Sequence, residues 1–320
     1  MDIAIISSAK DKASVNIKDN LISNFNFNKL EEKSDNNNIY KHTIDNKKNN
    51  VNNKIIKLYT INSELIFTDD LDKTIDADLF IFISKHRAQE DRPSLTCHAI
   101  GNFGKAEHGG KERTLCCSDP ALLKNIFLEL NKNAEEPYEV TLEATHHGPF
   151  MEKPVLFAEL GSNEKYWEDR NGGFIVAKSL MGALERFNGF AAIDKKYNNK
   201  INNYSVNKKF NKNNSMGKNN INSKVNDNEN INYEPVFVIG GSHYNHVGNK
   251  AMLQSNLAVG HICAKYNLDN LDENLLRQAM EKCSAKFVLL DWKGLGKEKQ
   301  RILEILEKNN IEYRKSNKAL

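Results

Sequence analysis

Five short apolar runs, at 79–83, 138–142, 155–158, 236–239 and 287–290, each stop at a small polar cluster. The clusters are Ser84-Lys85-His86-Arg87, Glu143-Ala144-Thr145-His146-His147-Gly148-Pro149, Glu159-Leu160-Gly161-Ser162, Gly240-Gly241-Ser242-His243-Tyr244 and Asp291-Trp292-Lys293-Gly294. Runs this short and this apolar read as buried strands. Helical periods fall between them. Asp119-Pro120 reads as an N-cap with proline at the first helical position, ahead of a helix over 121–130, and further amphipathic helices are expected over 164–186, 271–283 and 297–308. Strands alternating with helices predict an α/β fold. In such folds ligands bind beyond the carboxyl ends of the strands, so the five clusters predict one site. Wet loop ends alone would supply Asn, Ser and Asp rather than repeated His, Lys, Arg and Glu.

Additional strands are expected at 3–6, 55–59 and, half-buried, 93–100. Gly260-His261 lies in an apolar stretch read as helical, with His261 a packed or supporting imidazole. Two tracts break the pattern. Residues 31–54 shift to Asn, Lys and Asp and read as a polar loop or insertion. Residues 195–232 are dominated by asparagine and read as a disordered surface insertion, because so few apolar residues cannot offset the entropy of ordering. That second tract carries a local charge of +6 against +3 for the whole chain, leaving −3 for everything else. A nucleic-acid contact must then rest on a local patch; a lysine-rich arm touching RNA is one form it could take. The five cysteines, an odd number in a chain whose start lacks a basic leader, predict reduced thiols and a cytoplasmic protein without membrane spans.

The central cluster delivers a carboxylate and two imidazoles to one strand exit, the residue types that bind metal, move protons or orient water. On an ideal strand His146 and His147 point to opposite faces and Glu143 lies roughly 13 Å from His147, so other segments must complete any metal site. His86, His98, His146, His147 and His243, with Glu143 and Glu159, favour a metal hydrolase. Glu143 is the candidate general base or acid, and Lys85, Arg87 or Lys293 would stabilise negative charge or hold a phosphate. The Ser84-Lys85-His86-Arg87 cluster fits an anion clamp or a solvated loop start. The glycines of Gly101-Asn102-Phe103-Gly104 fit backbone approach to a ligand or a plain turn. The chain contains no HExxH, P-loop, GxSxG or GxGxxG pattern.

The ordered set of 84–87, 95–102 (Leu-Thr-Cys-His-Ala-Ile-Gly-Asn), 143–149, 159–162 with Trp167, 240–244, 260–261 and 291–294 resembles the archaeal and plant type of D-aminoacyl-tRNA deacylase, from about residue 79 to 295. The resemblance implies hydrolysis of the ester between a D-amino acid and tRNA. It implies two zinc ions per subunit and a phosphorylase/hydrolase-like mixed sheet with helices on both faces. The departures are the tracts at 31–54 and 195–232. On this reading the chain is a single α/β catalytic unit of one or two lobes over 1–320, acting as a monomer with no stable protein partner. Glu143, Lys85 and His86 would be catalytic; His146, His147, His243 and Glu159 would hold metal; Ser84, Arg87, His98, Asn102, Tyr244 and Lys293 would contact substrate. A zinc amidohydrolase or peptidase acting on small acyl compounds, and a non-catalytic RNA-binding module, are the rival readings.

Overall fold

The computed structural model describes residues 1–45, 53–189 and 232–320. Its first strands are β1 (Asp2–Ser8), β2 (Asn28–Ser34), β3 (Asn37–Ile44), β4 (Lys54–Ile61), β5 (Leu79–Lys85) and β6 (Ser94–Ala99). A two-stranded ribbon of β7 (Gly101–Asn102) and β8 (Thr114–Leu115) follows, then β9 (Glu139–Leu142) and β10 (Val155–Gly161). The C-terminal part holds β11 (Glu234–Ile239), β12 (Leu257–Cys263), β13 (Phe287–Leu290) and β14 (Tyr313–Lys315). The eight-stranded sheet runs β2-β3-β4-β1-β5-β10-β6-β9 and the four-stranded sheet β12-β11-β13-β14. The first sheet is mixed: β1 pairs parallel with β4 and β5, while β10 pairs parallel with β5 and antiparallel with β6.

Period-two burial assigns the faces of the first sheet. Leu79, Ile81 and Ile83 of β5 join the core beneath helices α1 (Lys12–Asn24), α2 (Pro120–Asn133) and α4 (Arg170–Arg186). Phe80 and Phe82 face the opposite core with Leu65, Ile75 and Met151, and Phe82 stacks on Phe157 at 5.0 Å. The second sheet is apolar on both sides because both are covered. Val236 and Val238 meet α2, whereas Phe237 and Ile239 meet helices Glu273–Lys282 and Lys299–Lys308. The predicted cap at Asp119 is present, with its carboxylate accepting from Leu122 N at 2.8 Å. α4 is preceded by a separate short helix, α3 (Glu164–Trp167), because Asp169 caps a new start. All five cysteines are free, and only Cys117 is not buried. No helix among the described residues is long and apolar enough to cross a membrane.

Three expectations are corrected. Most of the tract at 31–54 is sheet: β2 and β3 form an antiparallel hairpin against β4, with only Ile39 buried in its strands. With so little to bury, no apolar period betrays the strands. Its turn is made by Asp35 and Asn36, which both have positive φ (50° and 61°), as a two-residue hairpin loop requires. Gly260 and His261 lie in β12, not in a helix; a seven-residue strand buried throughout shows no alternation. β6 is wholly rather than half buried, its polar members facing the site. The expectation for 195–232 lies outside the described residues, apart from Asn232.

Candidate active site

Register builds the floor of the site. Ser84 of β5 and Thr96 of β6 both stand opposite Glu159 of β10. Three neighbouring strands thus place a hydroxyl on each side of one carboxylate: Ser84 Oγ donates to Glu159 Oε1 at 2.5 Å and Thr96 Oγ1 to Oε2 at 3.3 Å. Beyond the strand ends, residues 143–146 run between the two sheets. Glu143 N donates to Cys97 O on one side, while Ala144 N donates to His243 O and Thr145 N to Ile262 O on the other. His261 holds this seam: its Nε2–H donates to Cys116 O at 3.0 Å and its Nδ1 accepts from Thr145 Oγ1 at 3.1 Å. Both ring nitrogens are used, so His261 is structural.

Glu143 is buried at the centre. His243 Nε2 donates to its Oε2 at 2.8 Å, and His86 Nδ1 lies 3.0 Å from its Oε1 without hydrogen-bond geometry, so Oε1 has no hydrogen-bond partner. Burial would raise the pKa of Glu143, but the His86 charge and the His243 hydrogen bond outweigh it and hold the carboxyl well below its usual range. Burial opposes the charge on His86 in the same way. The Glu143 and Glu159 carboxylates prevail and keep this imidazole protonated well above its ordinary value. A protonated His86 carries a hydrogen on both nitrogens, so its Nε2–H is given to Tyr244 Oη at 2.7 Å while Nδ1 faces Glu143 as an ion pair. The Tyr244 hydroxyl is then left with its own proton to donate outward.

A second group differs in kind. His98, His146 and His147 each direct Nδ1 at a backbone carbonyl: Ala99 O at 3.1 Å, Ala144 O at 2.8 Å and Gly148 O at 2.6 Å. A carbonyl can only accept, so each Nδ1 carries a proton, and in the neutral imidazole each Nε2 keeps a lone pair. One ring nitrogen from each lies within 4.8 Å of the others, and His98 Nε2 is a buried atom with no hydrogen-bond partner. His147 reaches the group because its backbone turns into the left-handed region at φ 47°, bending round the imidazole that an ideal strand would point away. Burial and then the neighbouring His98 push the His147 pKa down to about 4, and burial and His147 push His146 down as well. Glu159, 3.8 Å from His98 Nε2, outweighs burial and raises the pKa of His98. Two further sets could hold an ion by distance: Glu143 with His146 and His243, and His86 with Glu143 and Glu159.

The site thus gathers Ser84, His86, His98, Glu143, His146, His147, Glu159, His243 and Tyr244. Four expected members stand apart. Lys85 points away from Ser84 and His86, with Nζ 5.8 Å from the Trp167 ring. Arg87 and Lys293 are exposed, and their side chains have no hydrogen bond or ion pair among the described residues. Asn102 spends its amide on Gly109 O at 2.8 Å and Lys111 O at 3.3 Å, securing the loop after β7. Sequence reasoning passed over Tyr266, whose hydroxyl lies 2.8 Å from His243 Nδ1. No local pattern marks it, since the contact spans 23 residues and forms only when β11 and β12 pair.

Gly161 shows how tightly His86 is held. A Cβ there would lie 2.7 Å from His86 Cβ and 2.8 Å from its Cδ2. Gly161→Ala is expected to cost about 1–3 kcal/mol in urea unfolding, as overpacking does, and to lower turnover by displacing His86.

The model of the family described as D-aminoacyl-tRNA deacylase matches residues 73–201 and 205–314. A D-aminoacyl-tRNA deacylase of Methanosarcina mazei is 34% identical over 320 residues, covering 96% of this chain and 89% of the relative. One of Pyrococcus furiosus is 30% identical, with 97% and 98% covered. Among solved structures, the crystal structure of a conserved protein of unknown function superposes with a TM-score of 0.75 at 26% identity, covering 99% of this chain and 96% of that one.

Proposed function

The chain belongs to the D-aminoacyl-tRNA deacylase family, and from that membership and the site's geometry we propose that it hydrolyses the ester joining a D-amino acid to tRNA, with zinc as its metal. The observation that carries the reading is the meeting, beyond neighbouring strand ends, of the buried Glu143 carboxylate, the His86 imidazole 3.0 Å from it and three Nδ1-anchored imidazoles. His98, His146 and His147 would hold the ion: three lone pairs with fixed tautomers, one of them orphaned and buried, are a donor set that suits zinc. Glu159, beside His98, is the candidate fourth donor. His243 was grouped with the ligands by sequence; its Nε2–H is given to Glu143, and we propose that it orients that carboxylate instead. The chemistry such an ion supplies is Lewis acidity toward water or an ester carbonyl.

The chain's own groups supply the rest. Glu143 Oε1, free of hydrogen bonds, accepts a proton from the attacking water. Tyr244, its oxygen occupied by His86, gives a hydrogen bond to the ester carbonyl oxygen as negative charge develops there, and the proton held by Glu143 passes to the ribose oxygen as the acyl–oxygen bond breaks. Glu143 and Glu159 come from the first sheet and the segments beside it, and Tyr244 follows the first strand of the second, so the chain works as one catalytic unit.

Purified protein incubated with D-tyrosyl-tRNA and L-tyrosyl-tRNA is expected to release the D ester and spare the L ester. Equal release from both would overturn the stereospecific reading. Cleavage of small acyl amides with both esters left intact would favour a peptidase-like enzyme.

A further inference from the structure

Among the described residues, four large apolar side chains are notably exposed, and two of them, Tyr266 (51%) and Tyr244 (36%), flank the site. Each has its hydroxyl committed inward, Tyr266 to His243 Nδ1 at 2.8 Å and Tyr244 to His86 Nε2 at 2.7 Å. A ring fastened at its polar end cannot swing, so its exposed face is fixed at no further cost in rotamer freedom. Both rings adjoin His243, with centroids 5.4 Å away for Tyr244 and 6.1 Å for Tyr266, and His243 in turn adjoins His146 at 4.6 Å. The aromatic surface therefore runs without a break from the imidazoles of the site to the outer face of Tyr266.

Resting on the deacylase reading, we propose that Tyr266 is the stacking platform for the terminal nucleobase of the tRNA, adenine, whose ribose carries the ester. A fixed and half-exposed phenol is what base stacking uses, because every base presents a π-face and the ring need not be ordered on binding. The distance is suitable: the base is joined to the ribose that bears the scissile bond, and Tyr266 is one imidazole removed from Glu143. The stack is made equally in the ground state and the transition state, so it acts on KM rather than kcat.

The test uses three D-tyrosyl esters: of tRNA, of adenosine, and of a ribose lacking a base. Wild type is expected to cleave the adenosine ester with a KM about ten-fold or more below that of the base-free ester. Tyr266→Leu is expected to erase that difference, and Tyr266→Phe, which keeps the ring but loses its fastening to His243, to retain part of it. A wild type that cleaves both small esters with equal KM, or a Leu variant that keeps the full preference, overturns the platform while leaving the deacylase reading standing. Failure of wild type on all three esters overturns the deacylase reading itself, and the platform with it.

Discussion

Glu143→Gln is expected to lower kcat for the D-aminoacyl ester by about 10²- to 10⁴-fold, the range for loss of a positioned acid–base group, with the circular dichroism spectrum unchanged. Glutamine keeps the shape and can still receive the His243 N–H, but it cannot take a proton from water. It also withdraws the negative charge beside His86, the largest of the favourable influences that keep that imidazole protonated. The pH dependence of stability provides a second reading of the same variant. Glu143 has a folded pKa below its ordinary 4.5, so its contribution is full above that value and is lost as the pH falls through the folded one. His86 has a folded pKa above its ordinary 6.5, so its contribution is full below that value and fades as the pH climbs toward the folded one. Both are fully present only from about pH 4.5 to 6.5. Wild type should therefore lose stability as the pH rises from about 6.5 toward 9, and Glu143→Gln should lose less, as read from urea midpoints. An active Gln variant, or an unchanged pH profile, would remove Glu143 from its role.

His98→Ala is expected to weaken zinc binding by roughly 10²-fold or more, since it deletes a donor and not merely a support. Metal content after gel filtration should fall in His98→Ala, His146→Ala and His147→Ala, with turnover falling alongside. His243→Ala should retain its metal yet lose turnover. A chelator should abolish wild-type activity, and added zinc should restore it. The opposite pattern, with metal lost from His243→Ala and kept by His98→Ala, would shift the ion to the set formed by Glu143, His146 and His243.

Much of this site was legible because strand ends carry their chemistry in short, contiguous words. Four of the five clusters contribute side chains to it, and the register of three strands explains why Ser84, Thr96 and Glu159 coincide. Lys85 shows the limit of reading clusters as units: successive strand residues face opposite ways, so Ser84 and His86 enter the site while Lys85 turns toward Trp167. The division of labour among the histidines could not be read from sequence. It depends on whether Nδ1 meets a carbonyl or a hydroxyl, which is decided by where the backbone passes. The β2–β3 hairpin was hidden for a different reason, since strands paired through their backbones with little to bury leave no apolar trace.

The segment Glu143–His146 is bonded to both halves of the molecule at once, its amide groups reaching β6 on one flank and β12 on the other. An opening of either half by a few ångströms would draw the nucleophile's base away from its partners before any secondary structure melted. On the proposed mechanism, turnover should therefore fail on heating before the circular dichroism signal does, because it depends on the joint between the halves.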